Sequence, residues 1–119
     1  MTNPSVSICI PAFRAKAYIW SALESIKSQV FTDWELIVTE DGSDDGTKEL
    51  VETFKTVVSQ PVHWQRNERN RGLPATRNSG IAAAKGEYIA LLDADDYWAA
   101  EHLEILRRTL AATAADMAL

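Results

Sequence analysis

The chain has 119 residues, 46% apolar and 24% charged, the balance of one globular domain and not of a coiled coil, a collagen or a disordered chain. Twelve basic residues against 17 acidic ones give a net charge of −5, so a nucleic-acid partner has little electrostatic support. An anionic ligand must then be held by something other than net charge, and a divalent cation is one candidate.

Ser5–Pro11 (SVSICIP) is a short apolar run rich in β-branched residues and closed by Pro11, which predicts a buried strand. Cys9 lies inside it as the one cysteine, so no internal disulfide can form, and a buried inert thiol is the default reading. From Ala17 to Gln29 the apolar residues Tyr18, Ile19, Ala22, Leu23 and Ile26 recur at helical spacing. Trp34–Thr39 (WELIVT) predicts a second strand, followed by the acidic loop Glu40–Gly46 (EDGSDDG). Leu50, Val51, Phe54, Val57 and Val58 mark a second helix, opened by Asp45 or Thr47. Val62–Gln65 reads as a weaker third strand, and Asn67–Gly72 (NERNRG) as a polar loop.

Pro74 suits the first turn of a helix because its missing N–H would be unpaired there. That helix is expected to run to about Lys85, with Gly86 as its cap. Glu87–Leu92 (EYIALL) predicts a fourth strand, with Asp93–Asp96 (DADD) at its C-terminal end. A last helix is expected to bury Leu103, Ile105, Leu106 and Leu110; the tail LAATAADMAL is low in information. The alternation β-α-β-α-β-α-β-α implies an α/β fold, a mostly parallel sheet with helices on both faces. Ligands of such sheets bind at the C-terminal strand ends. The polar clusters Pro11–Arg14, Asp41–Asp45, Asn67–Gly72 and Asp93–Asp96 all follow strands.

Asp93 and Asp95 are two residues apart, so a strand end would aim both to one side. Two close carboxylates repel unless a cation or proton lies between them, and hard oxygen donors favour Mn²⁺ or Mg²⁺ over zinc. The bland alternative is a solvated turn, with Asp96 as the N-cap of the next helix. In the acidic loop, Asp41, Ser43, Asp45, Gly46 and Glu52 fall at calcium-loop spacing, but the preceding segment is a strand, so calcium is disfavoured. Asp41 at a strand end can accept the imide N–H of a uracil or thymine ring. Gly72 before a helix allows close backbone approach. Free N–H groups at that helix start, with Arg77 one turn in, would suit a phosphate; the alternative for Arg77 is a salt bridge to one of the many acids. His63 and His102 are isolated and read as structural, and Trp20, Trp34, Trp64 and Trp98 as core or rim residues.

SICIPAFR, SIKSQVFTDWELIVTEDGSDDGT and NRGLPATRNSGIAAAKGEYIALLDADD, in this order, resemble the N-terminal, Rossmann-like nucleotide-binding half of a family-2 glycosyltransferase of the GT-A fold. The resemblance runs from Ser5 to about Leu106. It implies that Pro11, Ala12 and Phe13 flank the nucleotide base and ribose, and that Asp41 reads the uracil ring. It places Gly72 and Arg77 near the nucleotide. Asp93 would face the ribose or the water shell of the metal, and Asp95 would ligate the cation directly. Arg14 departs from a frequent Asn, Glu40 from an Asp and Thr76 from an Ala.

The resemblance further implies an inverting, metal-dependent transfer from a nucleotide-diphosphate sugar, UDP-sugar favoured, to a hydroxyl of a glycan or lipid-linked acceptor. Family catalytic domains add a second half that carries the general base. Residues 1–119 are therefore expected to be one truncated donor-binding domain, with Glu101 and His102 disfavoured as substitute bases. No apolar stretch approaches the ~18 residues of a membrane span, and the N-terminus shows no cleavable leader. The expected location is cytoplasmic, with peripheral membrane attachment through a missing region as the variant. A truncated edge would expose apolar surface and favour self-association. Three other readings compete: a non-catalytic interaction module that keeps the fold, a phosphoacceptor receiver domain, and a dehalogenase-like phosphatase using Asp93 and Asp95. A receiver carries an acidic pair after its first strand, where this chain has PAFR. The phosphatase motif belongs after a first strand, not a fourth.

Overall fold

The computed structural model describes residues 3–113. Four strands and four helices alternate: β1 (Val6–Ala12), α1 (Ile19–Lys27), β2 (Trp34–Glu40), α2 (Thr47–Lys55), β3 (Val62–Arg66), α3 (Leu73–Ala83), β4 (Tyr88–Leu91) and α4 (His102–Thr113). The strands form one parallel sheet in the order β3-β2-β1-β4. Strand order therefore reverses beside β1, because the chain grows outward through β2 and β3 and then returns to its other flank. Parallel sheets of this kind hold ligands beyond the C-terminal strand ends, near such a reversal.

Side-chain alternation divides the sheet. Val6, Ile8 and Ile10 of β1 and Leu36 and Val38 of β2 are buried with Ile19, Leu23 and Ile26 of α1 and Val51 and Phe54 of α2. Trp20 meets the edge of the Phe54 ring at 6.2 Å. On the other face α3 packs on β1 and β2. A Cβ on Gly80 would lie 3.4 Å from both Cys9 Cβ and Thr39 Oγ1, so a small residue is what lets this helix approach. Cys9 is buried beneath it, and desolvation pushes its thiol up to about 11, in keeping with an inert side chain.

α3 stops earlier than its sequence suggests. It ends at Ala83, Ala84 turns extended, and Gly86 is not its cap. The cause lies in the sheet. Buried Glu35 accepts Ser7 Oγ–H at 2.6 Å and the Lys85 N–H at 2.8 Å through Oε2, while Ser7 Oγ accepts the Gly86 N–H at 2.7 Å. The two amides are thus bonded to β1 and β2 side chains instead of helix carbonyls. Gly86 is needed for proximity, since a Cβ there would sit 2.7 Å from Ser7 N.

The last helix differs in phase. Leu103 and Leu110 are buried, but Ile105 is 58% exposed. Two residues are 200° apart on a 3.6-residue helix, so Ile105 cannot share the face of Leu103. Gln29, at the end of α1, accepts the Leu103 N–H at 3.0 Å and donates to Ala99 O at 2.8 Å, fixing the start of α4. Asp96 is six residues before that start and caps nothing there. Tyr18 and Val57, expected on buried helix faces, are instead exposed beyond the ends of α1 and α2. Ile89 and Leu91 on the outer strand β4 are 42% and 46% exposed, on the opposite side of the strand from buried Ala90. The stretch after Thr113 lies outside the described residues. None of the described helices is long and apolar enough to cross a membrane.

Candidate functional site

The C-terminal ends of β1 and β2 and the start of α3 enclose a cleft of about 200 Å³. Pro11, Ala12, Phe13, Asp41, Asn70, Gly72, Leu73 and Thr76 line it. Five of these were expected at the site from sequence: Pro11, Ala12, Phe13, Asp41 and Gly72. Ligand pockets usually span ~300–1,000 Å³, so this cleft matches a single ring rather than a whole nucleotide sugar. Its walls are largely apolar, and its main charged group is Asp41.

Asp41 organises the cleft. Its carboxylate is 4% exposed. Oδ1 accepts Asn67 Nδ2–H at 3.0 Å and the Arg71 N–H at 2.8 Å, and Oδ2 accepts the Gly72 N–H at 2.9 Å. Burial works against the charge, but these donors outweigh it and hold the carboxyl below the usual aspartate range. The Arg71 and Gly72 amides, just before α3, are therefore bonded to the chain's own Asp41 and not open to a phosphate. A carboxylate has about four acceptor positions; Oδ1 takes two of these donors and Oδ2 one, with the Thr76 hydroxyl also beside the carboxylate, so Oδ2 is the less occupied oxygen. Thr76 Oγ1 joins the network, donating to Gly72 O at 2.8 Å and accepting from Asn67 Nδ2 at 3.2 Å. Gly42, at φ 81°, brings the turn after β2 against this loop: a Cβ there would lie 2.5 Å from Asn70 N.

Beside the cleft, β4 leads into the acidic segment. Asp93–Asp96 is a turn closed by the Asp96 N–H donating to Asp93 O at 3.0 Å, beyond the end of the strand at Leu91. Strand alternation therefore does not set the direction of Asp93 and Asp95, contrary to expectation. Arg77 does not line the cleft. It stands one residue after Thr76, and its guanidinium donates to Asp93 Oδ1 at 2.9 Å. The salt-bridge alternative for Arg77 is thus what the fold adopts, and the pair ties α3 to the acidic turn. Asp95 is exposed and makes no protein hydrogen bond.

The donors of this turn are all carboxylate oxygens, which suits Mg²⁺ or Mn²⁺. Among the described residues no three His, Cys, Asp or Glu side chains gather as a cage. A cation here would need further oxygens from its ligand, the way Mg²⁺ is commonly shared with phosphates. The calcium-loop spacing has no such support. Asp41 is bonded to the α3 loop, whereas Asp45 accepts the Thr47 N–H at 3.2 Å and the Lys16 N–H at 3.2 Å on another side.

His102 stacks on Trp98 at 4.6 Å, and burial lowers its pKa. His63 lies 3.4 Å from Glu35 at the sheet face. Asn67, Asn70 and Leu73 were given no individual role by sequence, and Thr76 was noted only as a departure from Ala; their one legible signal was position, in and just after the polar loop that follows a strand. A second cleft, beneath the acidic loop, is lined by Glu40, Ser43, Asp44, Asp45, Gly46, Thr47, Lys48, Trp64 and Arg66.

A parallel α/β sheet with a ring-sized cleft and an acidic turn at its C-terminal edge is a ligand-binding arrangement that many functions share; similarity to known proteins narrows it. The family model described as "Glycosyl transferase family 2" matches residues 7–119, and the chain belongs to that family. It is 35% identical over 106 residues to Bacillus subtilis TuaG, covering 87% of this chain and 42% of that protein. It is 35% identical over 105 residues to the Escherichia coli UDP-Glc:alpha-D-GlcNAc-diphosphoundecaprenol beta-1,3-glucosyltransferase WfgD, covering 88% and 40%. The chain thus spans about two-fifths of these relatives. S. aureus TarS 1-349 in complex with UDP-GlcNAc is similar in structure, with TM-score 0.83, 29% identity, 91% of this chain and 31% of that one. The Pyrobaculum calidifontis mannosyltransferase PcManGT, solved with GDP-Man and Mn²⁺, shares the fold at TM-score 0.84 and 24% identity, covering 93% and 33%.

Proposed function

We propose that this chain is the donor-binding half of an inverting glycosyltransferase that takes a UDP-sugar. The observation that carries the reading is the Asp41-centred cleft, with the Asp93–Asp96 turn beside it on one sheet edge. Pro11, Ala12 and Phe13 form an apolar wall for the base. Asp41 offers Oδ2, its less occupied oxygen, to the imide N–H of uracil, and Gly72 leaves room for the ribose. Arg77 restrains Asp93, which faces the ribose or the water shell of the cation, and Asp95 is the direct ligand. Mn²⁺ or Mg²⁺, when bound, would stabilise the departing diphosphate as a Lewis acid.

The base that takes the proton from the acceptor hydroxyl lies on the part of the relatives that this chain does not span. The printed activity of WfgD, with a UDP-sugar donor and a diphosphoundecaprenol-linked acceptor, supports a lipid-linked or polysaccharide acceptor. We place the chain at or near the membrane surface that such an acceptor would occupy, on the cytoplasmic side expected from sequence.

Calorimetric titration with UDP, with and without Mn²⁺, tests the reading. Metal-strengthened binding that Asp95→Ala loses is the expected result. Metal-independent binding, or Asp95→Ala behaving as wild type, would refute the metal assignment. A folded chain that binds no UDP would favour the interaction-module alternative.

A further inference from the structure

Glu40 is buried at the end of β2, yet it belongs to neither the nucleotide cleft nor the acidic turn. Alternation along β2 puts it on the same face as Leu36 and Val38, where it is 1% exposed. Ser43 Oγ–H donates to Glu40 Oε1, and the same Ser43 oxygen accepts the Arg14 N–H at 3.0 Å. Glu40 Oε2 is buried with no partner.

The far end of this relay is the wall of the nucleotide cleft. Arg14 has φ 50°, the one positive value among the described non-glycine residues. Such a backbone persists only where its surroundings hold it. Phe13, directly before it, lines the cleft. Tyr18 Oη–H reaches Phe13 O at 3.4 Å, and the Arg14 guanidinium lies 5.2 Å from the Phe13 ring centre. Beyond these contacts, Ser43 Oγ and the Glu40 carboxyl behind it hold the Arg14 N–H.

We propose that Glu40 is a positioning residue for the nucleotide cleft: through Ser43 its carboxylate holds the Phe13–Arg14 turn, and protonation of Glu40 slackens that turn and weakens nucleotide binding. The inference rests on the nucleotide reading given above. Charge-assisted hydrogen bonds are roughly twice as strong as neutral ones, so the ionised form grips Ser43 more firmly.

The charged groups around Glu40 are Asp44 and Asp45 of the acidic loop, Lys48 of α2, Arg66 of β3 and the Lys16 side chain beside Gly46. Burial first, and Asp45 second, push the Glu40 carboxyl up to about 7, against the backbone N–H groups of Arg14 and Ser43 and the charge of Arg66. The switch therefore works near neutrality: weak grip below that pH, firm grip above it.

Two measurements on the same ¹⁵N-labelled chain test this. The Arg14 amide resonance is followed from pH 5 to 9, and UDP–Mn²⁺ affinity is measured at pH 5.5 and 8. In wild type the amide should titrate near pH 7, and UDP should bind about three- to tenfold more tightly at pH 8. Glu40→Gln keeps the shape without the charge, so its Arg14 amide should be flat and its pH 8 affinity low. Ser43→Ala removes the relay but leaves the direct influence of the Glu40 carboxyl on the Arg14 N–H, so its Arg14 amide should titrate with smaller amplitude and its pH 8 affinity should be low. Any titration of the ligand phosphate is common to all three and cancels in the comparison.

A flat wild-type amide, or a Glu40→Gln amide that titrates as wild type, would overturn the relay. A titrating amide with wild type and Glu40→Gln binding UDP alike would overturn its effect on the cleft. A titrating amide in a chain that binds no UDP at either pH would leave the relay standing and remove the nucleotide reading instead.

Discussion

Asp41→Asn changes one oxygen to an amide and keeps the shape. In the wild type three donors converge on that carboxylate, from Asn67, Arg71 and Gly72, at 3.0, 2.8 and 2.9 Å. Hydrogen bonds to a charged group contribute roughly 1.5–3 kcal/mol each, and neutral ones about 0.5–1.5. The Asn oxygen can keep the two bonds of Oδ1 at the neutral value. Its NH₂ group then faces the Gly72 N–H, donor against donor, which strands an amide at a cost of about 1–3 kcal/mol. Relief from burying a charge offsets part of this, leaving a net loss of about 2–3 kcal/mol. With a urea slope of about 2 kcal/mol/M, the midpoint should fall by roughly 1–1.5 M. Amide exchange should locate the damage, with Arg71 and Gly72 losing protection before the strands do. A midpoint within about 0.3 M of wild type, with both amides still protected, would refute the claim that Asp41 suspends the loop.

Other consequences concern the rest of the fold. Gly86→Ala must push Ser7 away and should cost about 1–3 kcal/mol with UDP affinity unchanged; a wild-type melting temperature would contradict the close approach. Leu103→Ala should cost about 2–5 kcal/mol, whereas Ile105→Ala should stay within about 0.5 kcal/mol; equal losses in denaturation would show that the phase of α4 is wrong. Glu40 has its folded pKa raised from 4.5 to about 7, so the folded chain retains a proton that the unfolded chain releases in that window. Stability should therefore fall as pH rises from about 4.5 to 7, by up to roughly 3 kcal/mol. Glu40→Gln should flatten that slope in urea midpoints measured at pH 5 and 8; an unchanged slope would assign it to another group.

Periodicity alone carried the order of elements, because each helix and strand buries its own repeating face. Ile19, Ala22, Leu23 and Ile26 illustrate this: all four are buried as their spacing requires. The misplacements were tertiary in origin. Nothing local in AAAKG announces that Lys85 and Gly86 will bond to Glu35 and Ser7, 50 and 79 residues away. The same holds for Asp41, whose partners lie 26 to 31 residues along the chain. Sequence could place Asp41 at a strand end, but not show that its carboxylate would bond the two amides just before α3. Glu40 was more legible than it looked, since strict alternation from Leu36 and Val38 already puts it on the core face.

The central claim is that the nucleotide enters the Asp41 cleft and its cation sits at the Asp93–Asp96 turn. Amide spectra recorded with UDP and substoichiometric Mn²⁺ test both parts at once. UDP should shift the amides of Ala12, Phe13, Asp41 and Gly72, and the paramagnetic ion should broaden Asp93 to Asp96 first. Broadening centred on Asp44 and Asp45, or UDP shifts confined to that acidic loop, would contradict the account.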